Sequence, residues 1–144
     1  MLRSYRHFPF GFREFRRARH GIGGLRRTNQ KSVTTVTRAD GVIVTWTGAD
    51  PNGYVIVSGT SLSAAGPGAG FNCTTRAGAG TFTVPAAVLL ALPPSAILEE
   101  DGQLQPEGAL QVGIAAPVVP FSAAGLGIAQ ATTSVSFPQT VRYK

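Results

Sequence analysis

The chain has 144 residues, of which 43% are apolar and 14% charged, with a formal net charge of +6 and a single cysteine. That length supports one domain, burying roughly 68–70% of the unfolded surface, and the lone Cys73 excludes an internal disulfide. No stretch reaches the ~18–20 apolar residues of a membrane helix, and no apolar run follows the charged start as a signal peptide requires.

Charge divides the chain. Residues 1–31 carry eight Arg and Lys31 against Glu14, a net +8, whereas residues 32–144 carry Arg38, Arg76, Arg142 and Lys144 against six acids, a net −2. The segment 1–27 is read as a basic, disordered extension and 28–144 as the folded part. In the extension Tyr5, Phe8, Phe10, Phe12 and Phe15 alternate with Arg residues. Such a segment suits an anionic partner, with Arg on phosphates and rings stacking or inserting. The competing reading is an extension with no role in the fold. Gly11, Gly21, Gly23 and Gly24 interrupt any long helix there.

The folded part reads as short strands. Ser32–Thr37 begins it, with Val33 and Val36 as its apolar positions, and Ala39-Asp40-Gly41 is a turn. Val42, Val44 and Trp46 share one face of the next strand, opposite Ile43, Thr45 and Thr47. Asp50-Pro51-Asn52-Gly53 then predicts a tight turn, with Gly53 at positive φ, joining that strand to Tyr54–Ser58 as a hairpin. Gly59–Gly70 is small, polar and glycine-rich, and reads as a surface loop. Phe71 and Cys73 alternate with Asn72 and Thr74, and Phe82 and Val84 with Thr81 and Thr83, on either side of a turn at Arg76–Gly80. Cys73 therefore belongs to an inward face as a small core residue. Pro85 stops its strand, and Ala86–Leu92 predicts a short helix bridging two sheets, ended by Pro93-Pro94.

Glu99-Glu100-Asp101-Gly102 reads as a solvated turn, since no spaced oxygen ladder of the kind calcium needs accompanies it. Leu110, Val112 and Ile114 face inward from Ala109–Ile114. Val118–Phe121, which follows Pro117 and contains Pro120, suits a sheet edge, and Ala123–Ala129 a crossover. Ser134–Phe137 and Thr140–Tyr143 close the chain. Strands at this spacing predict an all-β antiparallel sandwich with one short helix near residues 86–92. Phe71, Phe82, Leu110, Val112, Val135 and Phe137 are the expected core.

Reactive chemistry is sparse. His7 and His20 both lie in the basic extension, so a His-based triad has no imidazole in the sandwich. Gly59-Thr60-Ser61-Leu62-Ser63 starts like a nucleophile elbow but lacks the closing glycine and the strand-turn-helix context. No Cys/His set has metal-ligand spacing, and the carboxylates sit at turns. Asn72-Cys73-Thr74 matches a glycosylation sequon, read here as a chance match in mid-strand. No catalytic, cofactor-binding or metal residue is assigned, and no enzyme or cofactor is expected.

A joint pattern adds to this reading: Thr28-Asn29-Gln30, Val33–Arg38, Thr45-Trp46-Thr47-Gly48 with Asp50–Tyr54, Phe71-Asn72-Cys73, Gly80–Pro85 and Leu89–Ser95. Across about residues 28–144 it resembles the uncharacterised immunoglobulin-like C-terminal module of secreted proteins from soil bacteria of the Acidobacteria type. The resemblance implies an immunoglobulin-like sandwich at the end of larger exported proteins, hence an extracellular or cell-surface location, and carries over no functional residue. Residues 1–27 depart from that pattern, which raises a misplaced start or a truncated gene as their source. Two functions follow as expectations. One is a non-catalytic structural or adhesive module, with other domains or surface proteins as partners and self-association through strand edges as a further possibility. The other is a nucleic-acid-binding or coat-like sandwich that uses residues 1–27.

Overall fold

A computed structural model describes residues 24–115, 118–121, 125, 129–132 and 134–144. Most of the basic extension, with His7 and His20, and most of the Ala123–Ala129 crossover lie outside the described residues. The strands are β1 (Arg26–Arg27), β2 (Thr35–Val36), β3 (Val42–Thr47), β4 (Tyr54–Leu62), β5 (Gly68–Arg76), β6 (Thr81–Val84), β7 (Ile97–Glu100), β8 (Gln103–Pro106), β9 (Gly108–Ala115), β10 (Val119–Phe121), β11 (Ala129–Ala131), β12 (Ser134–Thr140) and β13 (Arg142–Tyr143), with one helix, α1 (Ala86–Leu89).

Two antiparallel sheets carry the core, one of three strands in the order β1-β3-β6 and one of four in the order β12-β9-β4-β5. Their apolar faces close on each other as an immunoglobulin-like sandwich. Val42, Val44, Trp46 and Val84 come from the first sheet, and Val55, Val57, Leu110, Val112 and Ile114 from the second. Alternation is the cause: in β3 each inward residue is buried and each outward one is exposed or half-exposed. Trp46 satisfies its indole N–H by donating to the Ala77 carbonyl at 2.9 Å. Pro85 follows the last residue of β6, and α1 then leads to a turn in which Leu92 N–H donates to Leu89 O. Both features agree with the sequence reading.

The expected β3–β4 hairpin does not form. The turn itself is present: Gly53 N–H donates to Asp50 O at 2.9 Å, and Asn52 N–H to Asp50 Oδ1 at 3.0 Å. The positive φ of this connection, however, lies at Gly48 (φ 78°) and not at Gly53. The chain there passes from one sheet to the other, so that Val55 and Val57 face Val44 and Trp46 across the core instead of lying beside them. Period-two alternation is satisfied equally by a neighbour in the same sheet or by a strand in the facing one.

The expected Gly59–Gly70 loop is also shorter than its composition suggests. β4 runs through Leu62 and β5 begins at Gly68, in unbroken antiparallel register from Tyr54 opposite Arg76 to Leu62 opposite Gly68. Gly59 is a strand glycine required by close approach: a Cβ there would collide with the Tyr143 hydroxyl and the Phe71 ring. The Glu99–Gly102 turn caps a hairpin of β7 and β8, with Asp101 (φ 52°) and Gly102 (φ 75°) at its tip. Of the expected core, Leu110 and Val112 are buried, and Phe71, Phe82, Val135 and Phe137 pack half-buried against the cluster. Folded structure also begins ahead of residue 28. Leu25 and Arg27 are buried, and Arg27 pairs with Trp46.

The C-terminal strand locks the layers together. β13 runs parallel to β2, with Tyr143 opposite Val36. Tyr143 is fully buried, and its hydroxyl donates to Ala109 O at 2.9 Å. Its backbone N–H donates to Ser95 Oγ at 3.0 Å, and its carbonyl accepts from Ser95 N–H at 2.8 Å. Gly108 leaves room for the ring, since a Cβ there would press on the Val141 carbonyl and the Tyr143 ring. Tyr143→Phe should cost about 1 kcal/mol by removing one buried hydrogen bond, and Gly59→Ala about 1–3 kcal/mol by overpacking, both read from urea unfolding. Burial holds the Tyr143 hydroxyl well above its ordinary pKa of 10.0, with the Arg27 charge acting in the opposite direction. Below pH 10 both folded and unfolded chains keep this proton. Above it the unfolded chain releases a proton that the folded chain retains, so stability falls as pH rises. Unfolding midpoints taken from pH 8 to 11 should show that decline in the wild type and a shallower one in Tyr143→Phe.

Candidate interaction surface

Two places gather polar side chains, and they differ in access. The first is internal. Ser61 Oγ and Ser95 Oγ lie 2.9 Å apart beside Tyr143, and Arg27 Nη1 reaches Leu110 O at 3.4 Å. Ser61, the serine of the elbow-like run, therefore sits buried near the end of β4, hydrogen-bonded and away from solvent. A nucleophile needs a sharp turn that presents its oxygen, and β4 has none at that point.

Arg27 is the unusual member of the internal group. It is 7% exposed, and its Nε and Nη2 have no hydrogen-bond partner. Burial lowers its pKa, while the neighbouring Tyr143 works in the opposite direction. A buried cation without a carboxylate costs free energy that an apolar side chain of similar length does not. Arg27→Met should therefore raise stability by about 1–3 kcal/mol, checked as a higher urea midpoint with an unchanged slope.

The second place is the outer face of the four-stranded sheet. Residues at alternate positions of β4, β5, β9 and β12 point away from the core; most are small or polar, with Tyr54, Ile56 and Leu62 as larger exceptions on β4 and Arg76 as the charge on β5. Ser58 lies opposite Asn72 on one side and Gln111 on the other, and Gln111 Nε2 donates to Ser58 Oγ at 2.8 Å. Gly113 lowers the surface at the centre, where a shallow trough of about 240 Å³ is bounded by Ile56, Ser58, Asn72, Gln111 and Ser136. The charge at the end of β5, Arg76, is folded back onto its own sheet. Its guanidinium lies 4.3 Å from the Tyr54 ring centroid and donates to Asn52 O at 3.1 Å.

The two edges of this sheet are unlike each other. β12 contains Pro138, which has no N–H, and Gln30 Nε2 donates to the Pro138 carbonyl at 3.0 Å. β5 is nine residues long and contains no Pro or Lys. Among the described residues its outer backbone row pairs with nothing. In the other sheet the edges are the two-residue β1 and the four-residue β6.

The remaining residues singled out in the sequence fall as follows. Cys73 is half-buried on the inner face of β5, with its thiol pushed up by burial, which suits packing and not reactivity. Asn72 is exposed on the outer face of the same strand. Glu99, Glu100 and Asp101 are exposed around the β7–β8 tip, and no group of three metal-ligating side chains occurs among the described residues. No helix among the described residues is long and apolar enough to cross a membrane. The open β5 edge was hidden in the sequence by Gly59 and Gly66–Gly70, whose glycines look like loop punctuation. The alternation continuing from Tyr54 to Leu62 is the pattern that could have revealed it. Searches with this chain give no matching protein-family model, curated protein or solved structure.

Proposed function

We propose that this chain is a non-catalytic structural or adhesive module of an extracellular or cell-surface bacterial protein, working through the four-stranded sheet. The observation that carries this reading is the long open β5 edge beside a nearly uncharged sheet face. An edge of that kind offers backbone hydrogen bonds to another strand, and natural sandwiches usually block it with Lys, Pro or a short strand. The buried polar groups of the sandwich serve packing, and the resemblance noted from the sequence supplies the exported context. Fold alone does not assign the role, so the reading rests on this surface.

The charge split favours one other reading, nucleic-acid binding through the basic extension. That reading requires binding that weakens steeply with salt and depends on residues 1–23. Filter binding of the full chain to DNA and RNA at low salt should instead be weak and unaffected by removing residues 1–23. Fractionation of producing cells with an antibody to the sandwich should find the protein in the exported material. Cytosolic protein with tight, salt-sensitive nucleic-acid binding would reverse the assignment. Removing residues 1–23 should leave the melting temperature nearly unchanged, whereas removing 1–27 should lower it, because Leu25 is buried in the core and β1 pairs with β3.

A further inference from the structure

We infer that the partner of the β5 edge is a second copy of this chain, paired antiparallel across a two-fold axis at Asn72. The inference rests on the adhesive or structural reading above and names its partner. Three observations carry it.

First, β5 is the long unguarded edge among the described residues, while the opposite edge of its sheet is closed by Pro138 and Gln30. Second, the strand is self-complementary. In the register that places Asn72 opposite Asn72, Gly68 faces Arg76, Gly70 faces Thr74, Ala69 faces Thr75 and Phe71 faces Cys73. Each larger side chain meets a smaller one, and no like charges oppose each other. The central amides can donate to and accept from each other. Arg76, held over Tyr54, leaves the end of the strand clear. Third, Phe71 and Cys73 are only half-buried against the core. A second β5 alongside would extend the sheet from four strands to eight and cover both from the open side. Apolar area removed from water there adds to the ladder of backbone hydrogen bonds.

Another kind of partner fits less well. A charged peptide finds a single charge on the outer row of β5, Arg76, and that guanidinium is held over the Tyr54 ring. An apolar helix would need a deep groove, and the trough beside β5 is shallow and of mixed lining, with Ser58, Asn72, Gln111 and Ser136 beside Ile56 and Val135.

The test uses the full chain. Sedimentation equilibrium over a concentration series should give a weak dimer with a Kd on the order of micromolar. Asn72→Lys sets two ammonium groups against each other on the axis at an exposed position, and should weaken the dimer about tenfold or more while the circular dichroism spectrum and melting temperature of the monomer stay unchanged. In a Cys73→Ser background, Asn72→Cys should form a disulfide-linked dimer under mild oxidation, because directly opposed residues lie within disulfide reach. Thr140→Cys, on the closed β12 edge, should not. A protein that stays monomeric at all concentrations overturns the inference and leaves the edge to a strand from a different protein. A dimer indifferent to Asn72→Lys, or one that cross-links at Thr140→Cys and not at Asn72→Cys, overturns it as well. These outcomes are independent of export and nucleic-acid binding, so failure of the dimer leaves the broader functional reading standing.

Discussion

The sandwich depends on one contact, the insertion of Tyr143 from the last strand between the layers. Its ring lies where Gly59 and Gly108 have no side chains, and its hydroxyl reaches the Ala109 carbonyl. The backbone around it binds Ser95, Thr34, Val36 and Gly108. Tyr143 and its neighbours Val141, Arg142 and Lys144 thereby tie β2, β4, β9 and the segment after α1 to the C-terminus. Tyr is well suited to this position, because it fills volume as Phe would and also satisfies a carbonyl in the interior. The two glycines carry no function of their own there; they are the negative image of the ring.

Much of the fold was legible in the amino-acid pattern. Alternation in Val42–Thr47, Ala109–Ile114 and Ser134–Phe137 identified strands and the faces they bury, and Pro85 and Pro93-Pro94 bounded the helix. Partnership was less legible. Val55 and Val57 declare an inward face, but the pattern is silent on whether the facing residues lie in the same sheet or across the core, so a turn between layers and a hairpin share one signature. Gly59 misled for a related reason. Glycine that yields to a neighbouring ring and glycine that bends the chain are the same letter. Arg27 was grouped with the basic extension by charge, although its position opposite Trp46 makes it part of the interior.

The surface was harder to foresee than the core. Burial leaves a period in the sequence, whereas an open edge is defined by what does not pair with it, and that depends on the whole topology. The β5 residues Gly68–Arg76 carry an alternation and a chance sequon, neither of which marks them as an open edge. Their importance emerges only when β12, β1 and β6 are seen to be blocked or short. The outer face gains its contour in the same indirect way, from the dip at Gly113 beside Ser136 and from Arg76 drawn back over Tyr54.

Pro138 has a further consequence for how far association can go. Head-to-tail stacking, with β5 of one copy against β12 of the next, would regenerate a fresh edge at every step and grow into a fibre. The missing N–H of Pro138, with the Gln30 amide already on its carbonyl, denies that route. Joining through the other side consumes both available edges at once and terminates. Under the proposed pairing, a single proline would thus separate a finite, closed assembly from an open-ended one.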